Sequence, residues 1–130
     1  MNAPVALFAY ARPDHLRRTV ESLLQNPEAS STPLVVFSDA ARSERERASV
    51  DAVRRYAGAI EGFASLEVIA RESNFGLAKS ITTGVGAVLD RFDRVVVLED
   101  DLIVSRWFLR YMNDALEHYA GDEQVASIHA

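Results

Sequence analysis

The sequence predicts an α/β domain with a Rossmann-like, doubly wound and mostly parallel sheet. Short apolar runs alternate along the chain with stretches whose apolar residues recur at helical spacing. Such alternation implies parallel strands joined by right-handed helical crossovers. Residues 94–101 support the same class, because an apolar, β-branched run passes directly into three consecutive carboxylates. We interpret this run as a strand covered on both faces, with its acidic end at the edge of the sheet.

Five apolar runs are the predicted strands. They comprise residues 4–9, 34–37, 66–70, 95–98 and 125–128. A helix-like stretch follows each of the first four, and this alternation implies a parallel sheet with right-handed crossovers.

Helical spacing predicts a helix after each of the first four strands. Pro13 suits the first turn of the first helix, which we expect to end before Asn26. Ser43 and Glu46 have the spacing of a capping box at the start of the second, which ends at Gly58 or Gly62. The third helix spans about residues 75–90. The fourth begins near Ser105 and carries an apolar stripe of Phe108, Tyr111, Met112, Ala115 and Tyr119.

Composition excludes several classes of function. The chain of 130 residues has the size of one domain, and its formal net charge of −5 argues against a broad nucleic-acid interface. Without cysteine it has no disulfide, thiolate zinc site or cysteine nucleophile, and its three histidines are too scattered for a zinc triad. No run is long and apolar enough to span a membrane, and the first ten residues lack the features of a signal peptide. We therefore expect a cytoplasmic protein of bacterial type.

Unusual polar residues follow four of the predicted strands. Tyr10 and Arg12 follow the first, Asp39 the second, residues 71–74 the third and residues 99–101 the fourth. The carboxyl ends of parallel strands share one edge of a sheet, where ligands of open α/β folds bind. Clustered carboxylates require a cation, and arginine suits phosphate, so this edge favours a nucleoside diphosphate with a divalent metal. The alternative without a ligand is that residues 99–101 form only a solvated turn and that Arg12 is an ordinary surface arginine.

Other phosphate-binding patterns are incomplete. The segment of residues 76–80 resembles the end of a P-loop, but no glycine directly precedes Lys79 and the upstream glycine is missing. No Gly-x-Gly-x-x-Gly follows the first strand, which argues against a nicotinamide-dinucleotide domain. Lys79 is expected one turn into the third helix, facing either the phosphates or solvent.

The order of these elements resembles the nucleotide-binding half of a GT-A-fold glycosyltransferase. Residues 8–16 resemble the first-strand loop that holds the nucleotide, and residues 74–78 are similar to the Asn-x-Gly-x-Ala segment of inverting, family-2-like members. Residues 97–102 resemble the metal-binding acidic motif, in the Glu-Asp-Asp form of N-acetylglucosaminyltransferase-I-like enzymes. The aromatic helix after that motif is similar to residues 107–112.

The resemblance implies a role for each matching residue. Asp101 would bind the metal with support from Glu99, and Asp100 would accept from the ribose hydroxyls. Asp39 would read the base. The other residues implied near the nucleotide are Ala9, Tyr10, Arg12, Asn74 and Lys79. The metal would be Mn²⁺ or Mg²⁺ and the donor a nucleotide-sugar, with a UDP-sugar favoured. Transfer would proceed with inversion to a hydroxyl of a glycan, lipid or protein acceptor.

The general base and acceptor pocket of that family lie well beyond its fifth strand. We therefore expect residues 1–130 to be a truncated, N-terminal nucleotide-sugar-binding part, without a catalytic base of its own. Any association with the inner face of the membrane would come from the absent part. The open sheet edge predicts a homodimer. A non-catalytic nucleotide-binding module remains an alternative. A receiver-type, Mg²⁺-binding signalling domain is a weaker one, because its acidic pair after the first strand is missing here.

Overall fold

Four parallel strands form one open sheet in the computed structural model, which describes residues 2–122. The strands are β1 (Val5–Ala9), β2 (Pro33–Ser38), β3 (Ser65–Ala70) and β4 (Val96–Glu99), and they lie in the order β3-β2-β1-β4. The helices are α1 (Pro13–Leu24), α2 (Glu44–Gly58), α3 (Leu77–Leu89) and α4 (Phe108–His118), with a short 3₁₀ helix at Pro27–Ser31. The predicted α/β class and parallel, Rossmann-like sheet are confirmed. The predicted strand at residues 125–128 lies outside the described residues.

Apolar side chains cover both faces of the sheet because successive strand residues point to opposite sides. Val5 and Leu7 of β1 belong to a core with buried residues of α1, α2 and α4. Ala6 and Phe8 belong to a second core, on the side of α3. Helices therefore flank both faces, as a doubly wound fold requires.

Helix α3 approaches the sheet closely at Gly84. A Cβ atom at this position would lie 2.7 Å from Cε1 of Phe8, which is too short for a real contact. The absence of a side chain thus lets α3 lie directly over β1, and its amino end reaches the carboxyl end of the strands.

Strand β4 differs from its prediction, because only one of its faces is well covered. Val96 and Leu98 are buried, but Val97 is 40% exposed. Val97 pairs with Ala6 and therefore lies on the α3 side of the sheet. Helix α3 packs chiefly against β1 and leaves Val97 partly uncovered, so the expectation of a strand covered on both faces was wrong.

The start of α2 also differs from its prediction. Ser43 precedes the helix but makes no side-chain cap, so the predicted capping box is not formed. The Glu46 carboxylate instead accepts hydrogen bonds from the hydroxyl of Tyr10 and the backbone N–H of Arg42. Glu46 therefore fastens the loop after β1 to α2.

Two further helix predictions require correction. Helix α3 begins at Leu77, two residues later than predicted, because the preceding backbone N–H groups bind a side chain from another loop. In α4 the stripe is rotated from its predicted position. Leu109 and Met112 are buried, whereas Tyr111 and Tyr119 are 49% and 41% exposed.

The strand order contradicts the receiver-type alternative. A receiver sheet has the order 2-1-3-4-5, with its third strand beside its first. Here β1 lies between β2 and β4, and β3 lies beyond β2.

No helix within residues 2–122 is long and apolar enough to cross a bilayer. The homodimer predicted for the open sheet edge stays a prediction.

Candidate functional site

A cleft of about 280 Å³ opens at the carboxyl ends of β1 and β4. The chain leaves β1 toward β2 on one side and later returns to β4 on the other, so this is a topological switch point, where open α/β sheets bind ligands. The residues that line the cleft are Phe8, Ala9, Tyr10, Arg12, Asp39, Arg42, Asn74, Gly76, Leu77, Ser80, Glu99 and Asp100. We call the end near Asp100 the acidic end and the end near Asp39 the loop end.

At the acidic end, the loop after β1 holds the carboxylates that follow β4. Nη2 of Arg12 lies 3.2 Å from Oδ1 of Asp100 and 3.9 Å from Oδ2 of Asp101. The backbone N–H of Tyr10 donates to Oδ2 of Asp100 at 3.4 Å. The hydroxyl of Thr19 in α1 donates to the backbone oxygen of Asp100 at 3.0 Å. These contacts bring together four of the residues predicted for the site: Tyr10, Arg12, Asp100 and Asp101.

Burial raises the pKa of the Asp100 carboxyl above its ordinary value of 3.8, although Arg12 opposes this rise. The Asp100 side chain is 7% exposed, so its charged form loses most of its hydration. The Arg12 side chain is 52% exposed, so water weakens its attraction. The neighbouring charge of Asp101 adds to the rise. Ionised Asp100 is therefore only partly compensated by the protein.

The other two carboxylates of the acidic end have less protein contact. The Asp101 side chain is 48% exposed, and Arg12 is its one ion-pair partner among residues 2–122. Glu99 pairs with Phe8 across the β1–β4 ladder, which places it on the α3 side of the sheet, and its carboxylate makes no hydrogen bond or ion pair with any described residue. Within residues 2–122, no cluster of three or more acidic or histidine side chains is arranged to hold a metal.

At the loop end, the Asp39 carboxylate binds the protein itself. Oδ1 accepts from the backbone N–H groups of Ala40 and Phe75, both at 2.9 Å. Oδ2 accepts from the backbone N–H of Gly76 at 3.0 Å and from Nδ2 of Asn74 at 3.3 Å. Asp39 thus ties the loop after β2 to the loop that precedes α3.

Three further residues singled out in the sequence occupy different positions around the cleft. The backbone oxygen of Ala9 accepts from the N–H of Asp39 at 3.0 Å, which links the first two loops. Lys79 does not line the cleft: it is exposed and its Nζ lies 4.3 Å from the ring centre of Phe75. The guanidinium of Arg71 lies 5.1 Å from the Phe37 ring centre and 4.7 Å from that of Phe75.

Sequence reasoning missed several lining residues. Arg42 begins a mixed run of charges over residues 42–47, a pattern typical of a solvated helix face, yet its side chain lines the cleft. Phe8 belongs to the first strand and begins the segment that resembles a nucleotide-holding loop, but it is not among the predicted site residues; it is buried and forms part of the floor of the cleft. Ser80 is 3% exposed, lines the cleft and makes no side-chain hydrogen bond to a described residue. In the sequence, only its position one helical turn after Gly76 indicates that Ser80 lies near the cleft.

No family model matches this chain, and no curated protein matches it either. Assignment of a function therefore depends on the chemistry of the cleft.

Proposed function

We propose that this chain is the donor-binding part of a GT-A-type glycosyltransferase, which binds a nucleotide-sugar together with Mn²⁺ or Mg²⁺. The observation that carries the proposal is the acidic end of the cleft. Two of three consecutive carboxylates, Asp100 and Asp101, contact one half-exposed arginine there, at the point of the sheet where ligands of open α/β folds bind. The uncompensated negative charge calls for a cation, and arginine adds a phosphate-binding group.

The residues present suit a divalent ion that binds together with phosphate. Mg²⁺ is usually held by one or two carboxylates and by phosphate oxygens, without an all-protein cage. Asp101 is exposed enough to bind the ion directly, and Glu99 supports the site with its unpaired carboxylate. A third protein ligand is not required.

In the proposed reaction the bound ion would neutralise the diphosphate as it leaves. Arg12 orients a phosphate or stacks on the base, and Asp100 accepts from the ribose hydroxyls. Phe8 gives the cleft an apolar floor. The acceptor hydroxyl, which belongs to a glycan, lipid or protein, attacks the anomeric carbon with inversion. This attack requires a general base, a role that we assign to no residue of the cleft.

Calorimetric titration of UDP and GDP, each with Mn²⁺ or with a chelator, tests the proposal. We expect Mn²⁺ to tighten binding by about tenfold or more, equivalent to at least about 1.4 kcal/mol. Asp101→Ala should abolish this gain. Asp93→Ala is the matched control, because Asp93 is an 87% exposed carboxylate before the start of β4. It should bind like the unmodified chain.

Two results would contradict the proposal: no nucleoside diphosphate binds to the folded chain, or binding is the same with chelator and in Asp101→Ala. If metal-dependent binding is observed, an assay for sugar transfer from the bound nucleotide-sugar to added acceptors separates an enzyme from a non-catalytic nucleotide-binding module.

A further inference from the structure

The four hydrogen bonds of Asp39 occupy its capacity as an acceptor. An ionised carboxylate offers about four acceptor positions, and both oxygens of Asp39 already receive two donors each. The residue is only 6% exposed. A ligand N–H would therefore have to displace a protein donor, in most cases a backbone N–H with no other partner.

The side-chain amide of Asn74 is held in one orientation by the same contacts. Its Nδ2 donates to the backbone oxygen of Ala40 at 2.9 Å and to Oδ2 of Asp39 at 3.3 Å. The opposite orientation would point the amide oxygen at two other acceptors, which is repulsive. Both amide protons are thus used, and Oδ1 is left without a partner among the described residues.

Asn74 lines the cleft beside Asp39, at the end away from the carboxylates that would hold the metal and the diphosphate. The base is the part of a nucleotide farthest from its diphosphate, so it belongs at this loop end. An amide oxygen accepts a hydrogen bond and cannot donate one. Among the described residues, Oδ1 is thus the polar atom of this side chain that the protein leaves available to a ligand, and it is an acceptor.

We propose that Oδ1 of Asn74 reads a ring N–H of the donor base, and that Asp39 is the positioning residue that fixes Asn74. The inference rests on the proposed function and identifies which bases of the donor nucleotide the cleft accepts. Uracil and guanine present a ring N–H beside a carbonyl, whereas cytosine and adenine present a ring nitrogen lone pair at the equivalent atom. A lone pair opposite Oδ1 is repulsive. The cleft thus selects uridine or guanosine diphosphates.

The decisive experiment compares UDP with N3-methyl-UDP, which lacks that N–H, and with CDP. All are titrated with Mn²⁺ into the unmodified chain, Asn74→Ala and Asn113→Ala. The Asn113 side-chain amide is also hydrogen-bonded to the protein, but away from the cleft: its Oδ1 accepts from the backbone N–H of Ala3 and its Nδ2 donates to the backbone oxygen of Leu109. It is therefore a control for general loss of stability. GDP and N1-methyl-GDP replace the uridine pair if GDP is the tighter ligand.

We expect methylation to weaken binding by about tenfold or more in the unmodified chain and in Asn113→Ala, and CDP to bind about tenfold or more weakly. In Asn74→Ala the methylated and unmethylated nucleotides should bind with affinities within about threefold of each other. The melting temperature of each variant establishes that it is folded.

Two outcomes would overturn the inference while the proposed function stands. Either Asn74→Ala retains the full methylation penalty in a chain that binds UDP through Asp101, or CDP binds as tightly as UDP. Failure of both UDP and GDP to bind with Mn²⁺ would overturn the proposed function, and the inference with it.

Discussion

The two ends of the cleft carry carboxylates in contrasting states. Asp39, at the loop end, receives four hydrogen bonds from the protein and is nearly inaccessible. At the acidic end, Asp100 shares one half-exposed arginine with Asp101, and Glu99 has no described partner. Each carboxylate directly follows an apolar strand, Asp39 after β2 and Asp100 after β4, so the two ends look alike in sequence. The difference lies in which donors the fold brings to each.

This contrast separates structural carboxylates from those available to a ligand. A carboxylate whose acceptor positions are filled stabilises a loop, and removing it leaves buried N–H groups unpaired. A carboxylate with unfilled positions and an incompletely compensated charge has capacity for a cation. The same residue type therefore serves two purposes within one cleft.

The largest expected effect is on stability. Asp39→Ala leaves the N–H groups of Ala40, Phe75 and Gly76 without their acceptor, and we expect a loss of about 3 kcal/mol in the free energy of unfolding. Asp101→Ala should change it by less than about 0.5 kcal/mol, because the side chain is half exposed. Urea unfolding of both variants measures the difference. Equal losses of unfolding free energy in Asp39→Ala and Asp101→Ala would contradict the distinction between the two ends.

The floor shared by the two ends gives the second prediction. Gly84→Ala places a methyl group 2.7 Å from the ring of Phe8, which is buried and stacked on Phe37 with ring centres 5.0 Å apart. We expect a loss of about 1–2 kcal/mol in unfolding free energy, together with weaker nucleotide binding. Gly86→Ala, in the same helix with open space around it, should gain about 0.5–1 kcal/mol. If Gly84→Ala leaves the unfolding free energy unchanged, the Phe8 ring moves aside at little cost and this prediction is wrong.

The smallest effect concerns Tyr10, whose backbone serves the acidic end and whose hydroxyl binds Glu46. That hydrogen bond is the main reason why the Glu46 pKa lies below its ordinary value of 4.5. Tyr10→Phe should raise this pKa toward 4.5, as measured by NMR titration of the Glu46 carboxyl carbon. Tyr119→Phe, at the end of α4, should leave it unchanged.

The sign of the corresponding pH effect follows from the lowered pKa. A carboxyl group with a depressed folded-state pKa contributes stability above its unfolded-state value, and this contribution is lost as pH falls through the folded-state value. The difference in melting temperature between the unmodified chain and Tyr10→Phe should therefore shrink as pH falls below about 4.5. A difference that grows toward acid pH would contradict this account of Glu46.

The sequence predicts the sheet well because apolar runs and helical periodicity are local signals. The meeting of Arg12 with Asp100 follows from the same signals, since parallel strands bring their following loops to one edge. The exposure of Val97 does not follow, because it depends on which strand α3 covers. That choice depends on Gly84 and Phe8, whose contact is not encoded in local periodicity.

The hydrogen-bond partners of Asp39 could not be predicted from the sequence either. Three of its four partners are backbone N–H groups, which every residue except proline possesses, so no residue type announces them. Ser80 and Arg42 were missed for a related reason. Both residues belong to helices or charge runs that are usually solvated, and only the packing of α3 and α2 brings them to the cleft.

The strand order also determines when each end of the cleft can be assembled during synthesis. Val5 pairs with Leu34 on one side but with Val96 on the other, so β1 must wait for most of the chain before its second neighbour emerges. Closing that long loop costs more chain entropy than pairing β1 with β2. The Asp39 loop can therefore form on a nascent chain that still lacks β4, whereas the opposite edge of β1 stays unpaired and open to misassociation. The carboxylates proposed to bind the metal are the last part of the cleft to be made.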